Sequence, residues 1–552
     1  MSLDKEQLYV YNYLYPFKLY CMPSECLSYR NTGYFSSLIC DYLDQDDRLS
    51  HFYNRFPALS NFEAQLQEKG KTFSLETRAV LSQALLEQYS HLQPSEATLE
   101  HIDSLKNKTT FTITTGHQLN LFTGPLYFLY KIIHTITLSR KLNTQHPNQH
   151  FVPVYWMATE DHDFEEINYF RCKGKKIQWN REASGPVGEL STHGLEAVLA
   201  LFKEELGTSQ NAAYLGSLFE DAYIKHDTLT EATRYLANEL FGEYGLVIVD
   251  GNDAALKSLF APYAQRELIE KLAHKNVTSQ TQQLTSLGYK EQVHPREINL
   301  FYIKRGLRER IVQEETGFAV NDTALRFSES EMLEELNKHP ERFSPNALLR
   351  PLYQEVILPN LCYIGGGGEL AYWFQLKTYF EAVAVPFPML MLRNSAMLRT
   401  TKQAQKAKNL GVSTQQLFAQ QNELVNQKIR SISNINIDFS EQRAFLKEQF
   451  KAMHLLAGET DPSFIGAVKS QEVKQLKGLD HLEKRLLRAQ KYKLKDQVQR
   501  LVDLQNESFP LQSLQERNTN FAEFYVEFGA ALIPTILESL DPENNGFTVI
   551  TV

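Results

Sequence analysis

The chain has 552 residues, 43% of them hydrophobic and 22% charged, and it carries a formal net charge of -9 at pH 7. This length exceeds what a single hydrophobic core supports, so about two to four domains of ordinary globular composition are predicted. The acidic balance argues against a nucleic acid as the main partner, and the lack of an apolar run near the roughly 18 residues that span a bilayer argues against a membrane partner.

The cysteines and the N-terminus indicate a cytoplasmic protein. The cysteines are odd in number and lack CxxC spacing, so no disulfide framework is suggested. They are Cys21, Cys26, Cys40, Cys172 and Cys362. The first residues show no basic segment followed by an apolar core, so no secretory signal is expected. A reducing cytosol is the simplest location.

The first domain, residues 1–167, is predicted to begin a parallel sheet. Residues 72–92 have the apolar spacing of an amphipathic helix. A β-branched strand at 110–115 is followed by an apolar helix at 126–138 and a buried strand at 151–158. Two strands joined through a helix form a βαβ unit, which implies a parallel sheet. Ligands of open parallel sheets bind outside the carboxyl ends of the strands.

Four further regions follow in the sequence. Short strands and helices in 168–345, with a buried strand at 246–251, predict an insertion that interrupts the sheet. The sheet is expected to resume in 346–399. Heptad-like apolar spacing in 400–506 predicts a long helical hairpin of the coiled-coil type, with a helical bundle packed against its own chain as the alternative. Residues 507–552 end in an apolar strand that is expected to dock on the edge of the sheet.

A first polar cluster, Gly116-His117-Gln118, directly follows the first strand of the βαβ unit. Backbone N–H groups at such a point can bind a phosphate, and His117 can donate a hydrogen bond to the charge that develops on it. The cluster is therefore a candidate site for a nucleotide or an activated acyl group. A turn histidine with a packing role is the alternative.

A second polar cluster, Glu160-Asp161-His162-Asp163, follows the second strand. Three acids and an imidazole could bind an amine, hold a metal or act as a base. Alternation along an extended backbone would point Asp161 and Asp163 away from His162, so no metal site is predicted and recognition of an amine is favoured. A solvated N-terminal cap for the next helix is the alternative.

Three later features could also bind a ligand. A run of four glycines at 365–368 opens a predicted helix and could cradle an anion, with a plain tight turn as the alternative. No GxxxxGK[ST] motif is present, so this is not a P-loop. Arg393-Asn394-Ser395 ends the last predicted strand, and its arginine could neutralise a phosphate or carboxylate. Lys131 lies on the first helix, where a lysine is more often solvated than bound to a ligand.

Five stretches of the sequence carry a resemblance to a known family. They are Thr115-Gly116-His117-Gln118, Thr123-Gly124-Pro125-Leu126-Tyr127 with Lys131, Glu160-Asp161-His162-Asp163-Phe164, and residues 363–373 and 385–395. Together they resemble the bacillithiol biosynthesis cysteine-adding enzymes, over the full length of the chain. The resemblance implies an α/β fold with a Rossmann-like parallel-sheet core, similar to class I aminoacyl-tRNA synthetases. It also implies inserted connecting segments and a long α-helical coiled-coil domain that forms a homodimer.

The same resemblance implies a ligase that adds L-cysteine to glucosaminyl-malate in the last step of bacillithiol biosynthesis. Because amide formation from a free carboxylate needs activation, ATP or ADP is the expected nucleotide and Mg²⁺ is a candidate ion. The His-x-Gly-His and lysine-serine motifs of the synthetases are missing here, so an adenylate and an acyl phosphate both stay open. Two other functions also stay open: synthetase-like nucleotidyl transfer to another acceptor, and a nucleotide-binding coiled-coil scaffold.

The expected site residues fall into two groups under this interpretation. The expected catalytic residues are His117, Asp161, His162 and Asp163. His117 would hold the nucleotide or activated acyl group, the two acids would position the amine together with Glu160, and His162 would take its proton. The residues expected to bind substrates or nucleotide are Gly116, Gln118, Thr123, Gly124, Lys131, Glu160, Gly365, Gly366, Gly367, Gly368, Glu369, Arg393, Ser395, Arg517 and Asn518. The last two are assigned to a second nucleotide pocket, next to the coiled coil, that the resemblance implies.

Overall fold

The computed structural model describes residues 22–552, which form two compact units. The first contains the described residues up to Leu398 together with Gln515–Val552, and the second contains Arg399–Leu514. Cys21 and the start of the chain, on which the expectation of no secretory signal rests, lie outside the described residues. Within residues 22–552, no helix is both long enough and apolar enough to cross a membrane.

The described residues contain fifteen strands. In chain order they are β1 (Met22–Ser28), β2 (Thr110–His117), β3 (His150–Met157), β4 (Tyr169–Cys172), β5 (Lys175–Gln178), β6 (Val247–Asp250), β7 (Leu300–Lys304), β8 (Leu307–Glu314), β9 (Gly317–Val320), β10 (Arg326–Phe327), β11 (Phe343–Pro345), β12 (Asn360–Gly365), β13 (Met389–Leu392), β14 (Ala396–Arg399) and β15 (Gly546–Thr551).

The α-helices surround these strands in the first unit and make up most of the second. Those of the first unit are Tyr29–Thr32, Ser37–Leu43, Phe62–Thr72, Leu75–Gln88, Glu96–Ser104, Tyr127–Gln145, Phe164–Ile167, Glu196–Leu206, Gln210–Tyr223, Leu229–Phe241, Ala254–Glu270, Leu272–Ser286, Glu329–Lys338, Arg350–Ile357, Gly367–Trp373, Lys377–Ala382, Gln515–Asn518, Ala522–Phe528 and Leu532–Ser539. Those of the second are Thr401–Leu410, Thr414–Leu417, Gln421–Ile432, Ser440–Gly458, Pro462–Lys493 and Lys495–Ser508.

The parallel sheet predicted for the core is confirmed, and its strand order is β13-β12-β2-β3-β6. The pairing runs to the last residue of each strand: Gly365 lies beside Leu392, His117 beside Met157, and Met157 beside Asp250. Both faces of β2 and β12 are buried, as expected for a parallel sheet covered by helices. The carboxyl ends of the strands therefore meet at one edge of the sheet.

The crossover from β2 to β3 is the helix Tyr127–Gln145, which is longer than the predicted helix at 126–138. Its first half is buried almost all round, and its second half is amphipathic. Leu138 and Leu142 continue the apolar stripe and pack with Phe111 and Phe151 in the core. This contact extends the helix past the point where the sequence becomes polar.

The structure corrects the extent of the insertion predicted at 168–345. The buried strand expected within it is β6, which pairs in parallel with β3 and forms one edge of the core sheet. The insertion is therefore divided into a part before β6, with the hairpin β4-β5, and a part after it, with the antiparallel sheet β10-β9-β8-β7-β11. A short apolar strand has no local feature that reveals which sheet it joins, because its partners are distant in sequence.

The C-terminal strand also differs from its prediction. β15 does not extend the parallel sheet but is the middle strand of a separate sheet with the order β1-β15-β14. It pairs antiparallel with β1, where Cys26 lies beside Thr548. Because β1 and β15 lie at opposite ends of the described chain, the residues around β15 give no indication that the two strands pair.

The second unit contains a long helical hairpin, as predicted, formed by Ser440–Gly458 and Pro462–Lys493. Asp461 caps the second helix, because its side chain accepts the N–H of Ser463 at 2.9 Å. Phe450 forms a small buried cluster between the two helices, together with Ala457 and Val468. Shorter helices of the same unit pack against each other, so the hairpin and a small bundle are both present.

The hairpin leaves several of its apolar side chains uncovered. Met453 and Leu482, which belong to the heptad-like apolar spacing of this region, are 44% and 52% exposed, and the neighbouring Leu455 is 71% exposed. Apolar side chains at a and d positions are buried in a coiled coil only when a facing helix covers them. These positions are not covered within the described chain.

Candidate active site

A cavity of about 440 Å³ opens at the carboxyl edge of the parallel sheet. It brings together residues that the sequence assigned to separate clusters, namely Gly116, His117, Gln118, Lys131, Glu160, Asp161, Gly366, Gly367, Gly368, Glu369, Arg393 and Arg517. Seven other assigned residues lie outside its lining, namely Thr123, Gly124, His162, Asp163, Gly365, Ser395 and Asn518. The two polar clusters and the glycine run thus form one site.

A second cavity of about 350 Å³ lies beside the first and shares Gln118, Tyr127 and Arg517 with it. Gly124 and Asn518 also line this second cavity. Arg517 and Asn518 therefore lie together, at a site within the first unit. Arg517 is exposed and reaches both cavities.

Thr123 does not line the first cavity but lies in a buried turn. It is buried and, like Phe122, adopts a positive φ of 66°, which is unusual for a residue with a side chain. Asn520 stabilises this turn by donating hydrogen bonds to the carbonyl oxygens of Phe122 and Gly124 at 2.7 and 2.6 Å. The turn directs the chain into the helix Tyr127–Gln145.

Lys131 is buried, so the expectation of a solvated lysine was wrong. Its ammonium donates to the carbonyl oxygen of Gly116 at 2.6 Å and pairs with Glu369 at 2.7 Å. Burial lowers the pKa of Lys131, while for Glu369 the effect of burial is outweighed by Lys131 and the pKa falls. The helix position is polar because it faces the end of β2, which the sequence pattern did not reveal.

The glycine run presents a carboxylate to the cavity as well as backbone N–H groups. Gly366 donates its N–H to Glu369 at 2.6 Å, and the hydroxyl of Tyr363 donates to the same carboxylate at 3.0 Å. Glu369 thus caps the helix Gly367–Trp373 from its own first turn. The Gly366 N–H is already satisfied and is not available to an anion.

His117 is neutral, and a hydrogen bond to the backbone of the next residue fixes the orientation of its ring. The Nδ1 atom lies 2.8 Å from the carbonyl oxygen of Gln118, and because a carbonyl only accepts, Nδ1 carries the hydrogen. Burial, and then the charge of Lys131, lowers the pKa of His117 to about 3. Nε2 is buried and has no partner among the described residues. The predicted donation from His117 to a phosphate therefore needs a protonation that this environment opposes.

The ring of His162 carries its hydrogen on the other nitrogen. Its Nδ1 accepts a hydrogen bond of 2.6 Å from Arg308, so its lone pair there is occupied and Nε2 carries the hydrogen. Asp161 and Asp163 lie 3.8 and 3.9 Å from the ring. The predicted alternation, with both acids pointing away from His162, was wrong because this segment is a turn and not an extended strand.

The acids of this turn have separate partners. The side chain of Gln118 donates to Asp161 at 3.0 Å, and Glu160 pairs at 2.6 Å with Lys257, which is buried. Asp163 precedes the helix Phe164–Ile167 but makes no capping bond with its side chain, so the alternative of a helix cap was wrong. Asp161 lines the cavity and, among the described residues, has no lysine or arginine at ion-pair distance.

Arg393 lines the cavity with its charge already paired. It donates to Glu516 at 2.6 and 3.1 Å, and one of its Nη atoms also donates to Ser395 at 3.0 Å. Both Arg393 and Glu516 are buried. Glu516 is a partner that the sequence analysis missed, since more than a hundred residues separate the two along the chain.

Three cationic residues of the site were also missed: Lys257, Arg308 and Arg350. Arg308 lies in β8 among charged residues of a strand that is mostly not buried, and Lys257 is a single lysine in an apolar part of the helix Ala254–Glu270. Arg350 follows Leu348 and Leu349, and a lone arginine in such an apolar setting is the one local signal that could have found it. The residues described contain no group of three or more His, Cys, Asp and Glu side chains arranged to hold a metal ion.

Comparison with known proteins places the chain among relatives that share its whole length. Two domain profiles match it: "Bacillithiol biosynthesis BshC, N-terminal Rossmann-like domain" over residues 22–394, and "Bacillithiol biosynthesis BshC, C-terminal coiled-coil domain" over residues 396–552. A protein of Christiangramia forsetii named "Putative cysteine ligase BshC" is 58% identical over 534 residues, 96% of this chain and 99% of that protein. A protein of Flavobacterium johnsoniae with the same name is 56% identical, covering 96% of this chain and 100% of that protein.

Proposed function

The chain belongs to the BshC family of bacillithiol biosynthesis, and we propose that it is a ligase that joins the carboxyl group of L-cysteine to the amine of glucosaminyl-malate, the last step of that pathway. The relatives are named as cysteine ligases, and such a ligase forms a carbon–nitrogen bond. One observation supports this assignment most strongly: Asp161, with no lysine or arginine at ion-pair distance among the described residues, lines the same cavity as several cationic side chains at the carboxyl edge of the sheet. The amine needs a carboxylate to bind it, the anionic activated acyl group needs cationic side chains, and the two must lie close enough to react.

A nucleotide is proposed as the activating co-substrate. The carboxylate oxygen of cysteine attacks a phosphorus atom of ATP, and pyrophosphate leaves if an adenylate forms, or ADP if an acyl phosphate forms. The amine then attacks the carbonyl carbon, loses a proton, and releases AMP or phosphate. Arg308 and Arg517 line the cavity without a carboxylate at ion-pair distance among the described residues, and they suit the phosphate charge. Mg²⁺ is proposed to enter with the nucleotide, because it is usually bound by phosphates and only one or two carboxylates.

Asp161 is proposed to orient the attacking amine. Its carboxylate is held by the side chain of Gln118 and by the N–H of His162 at 2.8 Å, which leaves lone pairs to accept from an amine. His162 would have to release Arg308 before it could take a proton. Nε2 of His117 has no hydrogen-bond partner among the described residues, and a pKa of about 3 suits acceptance of a hydrogen bond better than storage of a proton.

A homodimer formed through the helical hairpin is also proposed, in the cytoplasm. The exposed apolar positions of the hairpin, Met453, Leu455 and Leu482, support a surface that a second copy covers. Light scattering of the purified protein tests this. We expect twice the monomer mass for the wild type and a shift toward the monomer mass for Leu455→Lys, while a wild-type monomer at micromolar concentration would contradict it.

The decisive experiment is mass spectrometry of the protein incubated with ATP, Mg²⁺, cysteine and glucosaminyl-malate. The expected result is the cysteinyl amide together with AMP or ADP. AMP indicates an adenylate and ADP an acyl phosphate. No amide, together with tight nucleotide binding, would contradict the ligase and favour a scaffold. Transfer of a nucleotidyl group to another acceptor would favour the synthetase-like alternative.

A further inference from the structure

Two of the five Lys and Arg side chains that line the cavity are already paired with a carboxylate. Lys131 pairs with Glu369 and Arg393 pairs with Glu516, both at distances below 3 Å. Arg350 lines the cavity too, and within the described residues it has no carboxylate at ion-pair distance. Its bonds go to neutral groups: the side-chain oxygen of Gln354 at 3.0 Å and the hydroxyl of Tyr372 at 3.4 Å.

The surroundings of Arg350 hold its guanidinium in place without neutralising it. The rings of Trp156 and Tyr363 lie 5.8 and 5.6 Å from the guanidinium carbon. Aromatic rings stabilise a cation but leave its N–H groups able to donate. A partly buried cation with no anionic partner is costly, and the cost is recovered when an anion binds. A guanidinium that is held in position without an anionic partner is typical of a residue that binds an anionic ligand.

Gly116 keeps the space beside this guanidinium open. A Cβ atom at Gly116 would lie 3.8 Å from Nη1 of Arg350 and 3.2 Å from the hydroxyl of Tyr363. The residue at the end of β2 therefore has no side chain at the point where a ligand would approach Arg350. On the same wall, Arg308 donates to the carbonyl oxygen of Pro345 at 3.4 Å and adds a second cation.

We propose that Arg350 is the anchor for a carboxylate of the malyl group of the acceptor, bound by its two terminal N–H edges. This inference rests on the proposed function for the identity of the acceptor. A carboxylate is favoured over a phosphate because Glu369, bonded to Tyr363 beside Arg350, repels a multiply charged phosphate more than a singly charged group. The malyl carboxylate is favoured over that of cysteine, because a carboxylate neutralised by arginine is a weaker nucleophile and cysteine must use its carboxylate to attack.

Calorimetric titration of the full-length protein tests the proposal with Arg350→Lys, which keeps the charge but loses the planar fork. The ligands are glucosaminyl-malate, L-malate, methyl glucosaminide, L-cysteine and ATP. The expected result is a loss of roughly 10- to 100-fold in affinity for glucosaminyl-malate and L-malate, since a charged hydrogen-bonded pair is weakened. The affinities for methyl glucosaminide, cysteine and ATP should not change. Gly116→Ala should weaken the same two ligands by narrowing the approach.

Arg266→Lys is the matched control, because Arg266 is exposed and already pairs with Glu270. It should bind every ligand as the wild type does. Unchanged affinity of Arg350→Lys for glucosaminyl-malate and L-malate would overturn the anchor, and so would an equal loss for ATP or for cysteine. Failure of the proposed function has a different signature: the wild type would bind L-malate through Arg350 but neither bind glucosaminyl-malate nor form the amide.

Discussion

Two sides of the same cavity differ in how their charges are balanced. On the glycine-run side, Lys131 and Arg393 are buried and each has a carboxylate partner in the chain. On the side at the end of β3, Arg350 lies beside Trp156 and has neutral partners among the described residues, and Asp161 accepts hydrogen bonds from neutral donors. Buried pairs stabilise a site that must not move, whereas unpaired charges need a ligand to complete them. The difference indicates that the first side is a scaffold and the second side meets the substrates.

The largest effect is expected where the scaffold side loses one member of a pair. Arg393→Met leaves Glu516 buried without its cation, and this should cost about 3–5 kcal/mol of unfolding free energy. Urea unfolding followed by tryptophan fluorescence measures it. The double variant Arg393→Met with Glu516→Gln should recover part of the loss, because the uncompensated charge is gone. Equal stability of the single variant and the wild type would mean that the pair has no structural role.

The next effect should appear on the substrate side and in activity. Asp161→Asn keeps the shape of the side chain but removes the charge that would hold an amine. We expect kcat/KM to fall about 100-fold or more, equivalent to about 3 kcal/mol of transition-state stabilisation, with little change in unfolding free energy. A product assay measures the loss of kcat/KM, and a thermal melt of the same variant measures any loss of stability. Near wild-type turnover would remove Asp161 from the mechanism.

The dependence of stability on pH tests the burial of His117. The pKa of buried His117 is about 3 in the folded protein and close to 6.5 when unfolded, so the unfolded state binds more protons between these values. Stability is therefore full above about pH 6.5 and is lost as the pH falls, by at most about 1.4 kcal/mol per pH unit. His117→Gln should flatten the dependence of unfolding free energy on pH between 6 and 4. Because buried His134 has the same direction of shift, part of the slope should remain.

The smallest effect is expected for His162, which is half exposed on the substrate side. His162→Gln removes the imidazole that accepts from Arg308, but Arg308 keeps its bonds to Ser344 and Pro345, so unfolding free energy should change by no more than about 0.5 kcal/mol. Turnover should fall by roughly tenfold, about 1.4 kcal/mol, since the orientation of Arg308 and Asp161 is loosened. A fall as large as that of Asp161→Asn would instead indicate that His162 takes part directly in proton transfer.

The sequence predicted the βαβ unit, the helical hairpin and the position of the polar clusters, because each depends on residues close together in the chain. β-branched runs, apolar spacing and the cap at Asp461 act over a few residues, and the structure has them where the patterns indicated. The grouping of Gly116 and Asp161 in one cavity also followed from a general property of parallel sheets.

The sequence did not predict which charges are paired. Lys131 and Glu369 are more than two hundred residues apart, and the partner of Arg393 comes from the C-terminal segment. Nothing local distinguishes a lysine that faces a strand end from one that faces water. The same limit applies to β6 and β15, whose sheets are decided by distant strands.

By itself, the sequence determined the elements, the family resemblance and the edge of the sheet where chemistry is expected. Only the tertiary structure decided the state of each ionisable group, because burial and charge partners come from segments far apart in the chain. It left Nε2 of His117 without a hydrogen-bond partner among the described residues, and it placed Arg308 against Nδ1 of His162. It also brought Arg350 to the cavity without a carboxylate, which no neighbouring residue in the sequence could indicate.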